Sequence, residues 1–364
     1  QGFTSDAWTL SVPSDIAAIF GGLKWGGTVG SGATLTYSFP GAGAVWAENY
    51  NAGAEAPLNE PGNVPLTGAS LTTYQADAVR AALLAWSSVA NITFLETIAE
   101  TSTDVGQMRF AWTDAIQGSA AAWAYYPNSY WASGGDVWLA NATIGAYPEY
   151  EWAVGGRIRQ IPAQPFHEIG HALGLKHPFE SASYSPVLLL GNKDTEQYTV
   201  MSYTPHQHSL YADVTDTGGG GYSISFPTIQ PDGPMVLDIL AAQYIYGANT
   251  AYHTEDNTYT FDPSTPFLHT IWDAAGNDTI SVANFAVACL IDLTPGSYSS
   301  LHMPINLPEG YAGEIVPTYD GTDNLGIAFD CWIENATGGS GNDTLKGNAV
   351  ANVLAGGIGA DQLY

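Results

Sequence analysis

The chain has 364 residues, with 8 Lys and Arg against 35 Asp and Glu, giving a formal net charge of −27. That field repels nucleic acid and anionic membranes; it suits binding of divalent cations, work in salty water, or simply a well-solvated surface. No run reaches the roughly 20 apolar residues of a membrane helix, and the length suits about two domains. Only Cys289 and Cys331 are present, too few to staple a scaffold, and a single bridge between them is left open. Gln1 in place of Met reads as a processed or trimmed start from which a prosegment has been removed.

Ser14 to Phe20 reads as a short helix ended by Gly21-Gly22, with no role assignable to it. Ala33 to Phe39 alternates apolar and hydroxyl residues and stops at Pro40, as a half-buried strand does, and a long loop runs on to Gly68. Thr72-Thr73-Tyr74-Gln75 has the form of a capping box, and Val79, Ala82, Leu83 and Trp86 then follow helical spacing. Asn91–Glu96 and Gln107–Trp112 are expected in one sheet with the first strand. Ala120–Pro127 and Asp136–Ala140 are expected as further strands, followed by a helix whose body starts near Ile161 or Pro162.

That helix carries His167-Glu168-Ile169-Gly170-His171-Ala172-Leu173-Gly174-Leu175-Lys176-His177. At about 100° per residue His167 and His171 lie one above the other, so both imidazoles reach one ion. Gly174 accepts a positive φ, ending the helix and returning His177 as a third nitrogen. Three histidines leave one tetrahedral position for water, the pattern of a catalytic zinc, and Glu168 beside them suits a general base. Beyond a loop with Gly218-Gly219-Gly220-Gly221, the stretch from Pro234 to Gly247 reads as a buried helix, and the domain boundary is set after it.

The C-terminal segment repeats every nine residues: Gly338, Gly347 and Gly356 form one column, Asp343, Asn352 and Asp361 a second, Leu345, Leu354 and Leu363 a third. Such columns describe a parallel β-roll with leucines inside and calcium between the turns. Gly338 to Lys346 fits the repeats-in-toxin nonapeptide, the second copy is degenerate and the third fits again. Turns 18 residues apart share a side, so Gly339, Gly341 and Asp343 are expected to share an ion with Gly356, Ile358 and Asp361.

The histidine motif resembles the metzincin signature, and Val200-Met201-Ser202-Tyr203, with Met201 24 residues beyond His177, resembles the methionine turn of the serralysin family. The resemblance, from about Ala33 to the end, implies an α+β metzincin-like catalytic domain over 1–247, with a twisted, mostly parallel sheet and two long helices. An all-β parallel β-roll, apparently truncated at Tyr364, follows over 248–364. It further implies Met201 as the floor beneath the zinc, Tyr203 as a fifth ligand that swings off to hydrogen-bond the tetrahedral intermediate, and Ala122, Trp123 and Ala124 as an edge strand that aligns extended substrate. An interior strand remains the alternative there. Asp273, Asp278 and Glu334, with Asn257, Ala275 and Gly276, resemble the calcium ligands where the roll begins. The expectation is a secreted, monomeric zinc endopeptidase with several structural calcium ions, exported by bacterial type I secretion. Its partners are protein or peptide substrates, with a proteinaceous inhibitor as a candidate. A calcium-dependent adhesin or surface-layer-associated binding protein without activity is the alternative.

Overall fold

The computed structural model describes residues 3–4, 13–41, 44–46, 70–101, 103–113, 122–140, 164–182, 185–189, 191–218, 221–304, 307 and 317–364. These fall into two compact units: one takes residues up to 154, 161–191 and 240–249, the other 155–160, 192–239 and 250–364. Most of the loop expected up to Gly68, the expected helix start at Ile161 or Pro162, and Ala120 lie outside the described residues.

In the first unit the pair β1 (Phe3–Thr4) and β2 (Lys24–Trp25) is antiparallel, with the helix α1 (Ser14–Ile19) between them in sequence. Ile16 to Ile19 of α1 are buried, which a six-residue helix needs because so few turns cannot persist in water unaided. The main sheet contains β3 (Ala33–Ser38), β4 (Ile92–Glu96), β5 (Met108–Thr113), β6 (Ala122–Ala124) and β7 (Val137–Ala140). Its order is β4-β3-β5-β7-β6, parallel throughout except for β6, which runs antiparallel to β7 at one edge. Leu35, Phe110 and Trp138 are buried, consistent with the apolar side of the alternating pattern facing a core.

Helix α2 (Thr73–Val89) starts from the expected capping box: Gln75 N–H donates to Thr72 Oγ1 at 3.3 Å, and Thr72 N–H donates to Gln75 Oε1 at 2.9 Å. Val79, Ala82, Leu83 and Trp86 are all buried, as their spacing requires. Trp86 Nε1–H donates to Phe166 O at 3.2 Å, tying α2 to helix α3 (Gln164–Ala172), which carries His167 and His171. Helix α4 (Val236–Tyr246) is buried on nearly every side and ends at Gly247 with φ +82°.

In the second unit, β8 (Asp213–Gly218) and β9 (Gly221–Ser225) pair antiparallel on either side of the glycine run. The expected loop is thus a hairpin, hidden in the sequence because four glycines mask the short Val214 and Ile224 pattern beside them. The C-terminal strands are β10 (Thr258–Thr260), β11 (His269–Ile271), β12 (Thr279–Ser281), β13 (Leu290–Asp292), β14 (Tyr298–Ser299), β15 (Leu325–Ile327), β16 (Asn335–Thr337), β17 (Thr344–Lys346), β18 (Val353–Ala355) and β19 (Gln362–Leu363). Two of their sheets, β10-β12-β16-β18 and β13-β17-β19, are parallel throughout.

Asn335 faces Val353 and Thr344 faces Gln362, so the structural repeat is 18 residues and the nine-residue period is half a coil. The leucine column therefore splits between the sheets: Leu345 and Leu363 align with Ile291, while Leu354 aligns with Ala336 and Ile280. Leu345 is fully buried, but Leu363 is 50% exposed, a correction to the expectation of three interior leucines. Its coil is covered by a neighbour on one side only. Cys289 and Cys331 are both buried free thiols, which closes the question of a bridge.

Candidate metal centre

Helix α3 has Pro165 in its first turn, where the missing N–H costs nothing, and the two histidines one turn apart. It ends in a Schellman motif: Leu175 N–H donates to Gly170 O and Gly174 N–H to His171 O, both at 2.9 Å, with Gly174 at φ +104°. A Cβ at Gly174 would stand 2.0 Å from Leu23 O, so both conformation and space demand glycine there. The reversal delivers His177 to the other two imidazoles, as the spacing predicted.

His177 Nε2 lies 3.1 Å from His167 Nε2 and 3.0 Å from His171 Nε2. A tetrahedral zinc with nitrogen bonds of roughly 2.0–2.1 Å separates its ligands by about 3.3 Å, so the triad fits that ion with a shift of a few tenths of an ångström. The distal nitrogens are held as well. His171 Nδ1 is 2.8 Å from Leu175 O, so its proton sits on Nδ1 and leaves Nε2 as a lone pair. His177 Nδ1 lies 2.8 Å from Glu180 Oε2, and the His177 ring stacks on Phe179 with centroids 5.0 Å apart. Burial, followed by the electrostatic effect of His167 and then of His177, pushes the His171 pKa well below 6.5, favouring the neutral imidazole that a metal requires.

Glu168 is buried beside His167. The edge strand β6 runs on to Tyr126, whose ring meets His171 edge-on at 5.6 Å. Ala122, Trp123 and Ala124 therefore lie on a sheet edge among the described residues, in the same unit as the triad.

Met201 and Tyr203 belong to the second unit. Met201 is fully buried and Tyr203 is 65% exposed. Their turn is fixed by Asp238, a residue the sequence reading missed. Its carboxylate accepts from Thr199 Oγ1 at 2.6 Å and from the N–H groups of Val200 and Met235 at 2.8 Å each. Burial pushes the Asp238 pKa up to about 7 against those three donors. The available signal was a lone carboxylate in an otherwise apolar helix.

Within the C-terminal sheets, Asp278 and Glu334 immediately precede β12 and β16, and Asp273 follows β11. Asp278 Oδ1 accepts from Asn257 N–H at 2.7 Å, Glu334 Oε2 accepts from Asp278 N–H at 2.7 Å, and Asp273 accepts from Ala275 N–H at 3.1 Å. Among the described residues no donor reaches the buried Asp278 Oδ2, the situation a cation relieves. Burial first, then the charges of Asp273 and Glu334, raise the Asp278 pKa to about 6. Gly276 at φ +150° stands where a Cβ would lie 2.6 Å from Asp278 Oδ1.

In the repeats, Asp343 accepts from Gly339 N–H at 2.6 Å and Cys289 N–H at 2.7 Å, and its own N–H donates to Asp361 Oδ1 at 2.9 Å. Gly339 O accepts from Ile358 N–H, and a Cβ at Gly359 would fall 2.0 Å from Gly341 O, so turns 18 residues apart do adjoin. Gly338 and Gly356 adjoin in the same way. The degenerate copy is closed by amides instead: Asn352 Nδ2 donates to Glu334 O at 2.9 Å, and Asn348 Nδ2 to Leu293 O at 3.0 Å and Ile333 O at 2.8 Å.

No helix among the described residues is long and apolar enough to cross a membrane. The sequence model described as Peptidase M10 serralysin C terminal matches residues 236–362. The chain is similar to a serralysin of Proteus mirabilis, 32% identical over 359 residues, covering 91% of this chain and 63% of that protein. It is also 33% identical over 315 residues to a serralysin of Photorhabdus sp. (strain Az29), covering 79% and 56%, and 31% identical over 290 residues to metallopeptidase AprA of Pseudomonas marginalis, covering 75% and 54%. The chain thus spans between 54% and 63% of the length of these relatives. With matches over most of its own length and the family's C-terminal domain in place, the chain belongs to the serralysin family.

Proposed function

We propose that the chain is a secreted zinc endopeptidase that hydrolyses extended protein substrates, with a metzincin-like catalytic domain over 1–247 and a calcium-binding parallel β-roll over 248–364. The observation that carries this reading is the convergence of three imidazole nitrogens, those of His167 and His171 lying within 3.1 Å of His177 Nε2, next to a buried carboxylate. His167, His171 and His177 hold the zinc, which when bound lowers the pKa of water and polarises a carbonyl. Glu168 takes the proton from the attacking water and passes it to the leaving amine. The Tyr203 phenol, by family resemblance a further ligand that swings away, donates a hydrogen bond to the oxygen that gains charge. Met201 lines the floor.

Ala122, Trp123 and Ala124 pair with substrate backbone along the open edge of β6, so cleavage depends weakly on the sequence of the substrate. Structural calcium is held by Asn257, Asp273, Ala275, Gly276, Asp278 and Glu334 at the start of the roll. In the repeats it is held by Gly339, Gly341 and Asp343 with Gly356, Ile358 and Asp361. The orphan oxygen of Asp278 and the adjoining glycine turns support that assignment. Type I secretion, a monomeric state and a proteinaceous inhibitor complete the reading by family resemblance. The named relatives, serralysins and metallopeptidases, favour the peptidase over the adhesin.

Replacing Glu168 with Ala tests the mechanism. Zinc content should stay at one per chain while cleavage of casein falls by about 10²–10⁴-fold, the range for general acid–base groups. Turnover within tenfold of the unsubstituted chain would contradict the role of Glu168.

A further inference from the structure

Lys176 stands between the helix-ending turn and the third histidine, and its side chain is only 1% exposed. Among the described residues no carboxylate forms an ion pair with it. Instead its ammonium donates to four main-chain oxygens: Ala18 O at 2.6 Å, Glu180 O at 2.8 Å, Val187 O at 2.9 Å and His177 O at 3.3 Å. Ala18 belongs to α1, His177 and Glu180 to the turn that carries the third ligand, and Val187 to the segment returning behind it. Three N–H bonds thus serve four carbonyls from three pieces of chain.

The cage is reinforced around its rim. Lys176 N–H donates to Ile19 O at 2.6 Å, Gly21 N–H to Gly174 O at 2.8 Å, and Leu189 N–H to Pro178 O at 2.9 Å. Trp25 Nε1–H reaches Ala172 O at 2.7 Å. Gripping Glu180 by its carbonyl also fixes where its side chain leaves the chain, and that carboxylate stands 2.8 Å from His177 Nδ1. The bonded route from α1 to the third ligand runs through the Lys176 ammonium to His177 O and Glu180 O, and the Glu180 carboxylate adds a contact at ion-pair distance, without hydrogen-bond geometry, to the distal nitrogen of His177.

We propose that Lys176 is a positioning residue: by binding the carbonyls of Ala18, His177, Glu180 and Val187 it sets the third zinc ligand, with α1 as its strut and the Glu180 carboxylate as a charge held against the imidazole. The inference rests on the zinc reading above. It also gives a role to α1, to which the sequence alone assigned none. An apolar side chain of equal length fills the same volume but leaves the carbonyls without a donor, so the turn loses its fixed geometry while the rest of the unit keeps its packing. Lys24 offers a matched comparison, since it is equally buried and donates to Gly27 O, Thr28 O and Ser31 O, none of them in the ligand turn.

The experiment compares Lys176→Met, Glu180→Ala and Lys24→Met in the full chain with calcium present. Zinc affinity is measured by competition with a chromogenic chelator, and the cobalt-substituted proteins are compared by visible absorption. Lys176→Met should weaken zinc binding about 10–100-fold and shift the cobalt bands, the range seen when the partners of metal ligands are removed. Glu180→Ala, at an exposed position, should show a smaller change in the same direction. Lys24→Met should lower the melting temperature and leave zinc affinity and the cobalt spectrum alone. If Lys176→Met matches Lys24→Met in zinc affinity, the proposal is overturned. Should Lys176→Met fail to fold, an unchanged zinc affinity in Glu180→Ala overturns it. Absence of zinc binding in the unsubstituted chain would instead overturn the zinc reading itself.

Discussion

The histidine site and the C-terminal carboxylate sites are built on opposite principles. The triad consists of imidazoles rather than carboxylates, His171 Nδ1 is bonded to Leu175 O, the Glu180 carboxylate lies 2.8 Å from His177 Nδ1, and a glycine-closed helix end holds the group together. Backbone and core therefore assemble it without the ion. The carboxylates of Asp273, Asp278 and Glu334 are gathered at a cost visible in the raised pKa of Asp273, caused by burial, and of Asp278, caused by burial and then by the charges of Asp273 and Glu334. On the proposed reading, zinc would be fitted into a finished pocket, whereas calcium would complete the structure around it. Zinc removal should accordingly abolish chemistry while leaving the backbone of the site in place, whereas calcium removal should loosen the carboxylate sites themselves.

The largest effect expected is that of calcium. Saturating a site that only the folded chain possesses adds about 4 kcal/mol at a thousandfold excess over Kd, and two such sites correspond to a shift on the order of 10 °C or more. Calorimetry at constant ionic strength should show that fall with a calcium chelator and a smaller one, from a single site, on zinc removal. Equal melting temperatures with and without calcium would break the contrast.

A second difference concerns protons. Asp238 is kept mainly by burial at about 7, above the ordinary 3.8, so its protonated form favours the folded state. Its contribution is fully present below about pH 4, is lost as pH rises toward 7, and is constant above that. The loss is on the order of a few kcal/mol, at about 1.4 kcal/mol per pK unit. Stability measured from pH 4 to 8 should decline over that window in the native chain and lose that component of the slope in Asp238→Asn. An unaltered slope would remove Asp238 from the account.

Within the repeats themselves, Leu345 and Leu363 occupy one column at different depths. Leu345→Ala should cost about 2–5 kcal/mol, the range for a buried leucine, and Leu363→Ala less than about 1 kcal/mol. Denaturant melts in saturating calcium distinguish them, and equal losses would mean that the final coil is covered in solution.

Local chemistry was what the sequence disclosed. The capping box at Thr72, the Gly174 reversal, the helical spacing of His167 and His171 and the period of the repeats each depend on residues near one another in the chain or on a strict repeat. What stayed hidden depends on distant partners. Lys176 looks like a surface lysine until α1 supplies Ala18 O, and Asp238 looks like a helix-start carboxylate until Thr199 and Val200 meet it. The leucine column was correct in period yet silent on which coil lies outermost, because burial depends on what stacks above. The hairpin of β8 and β9 escaped because glycine content outweighed the brief alternation on either side.

Anomalous diffraction at the zinc absorption edge from metal-replete crystals tests the central claim most directly. The account predicts one strong peak within bonding distance of His167, His171 and His177 Nε2, with a coordination position taken by solvent and Glu168 alongside, with or without the Tyr203 phenol. No peak at the triad, or a site closed by some other protein side chain, would contradict it.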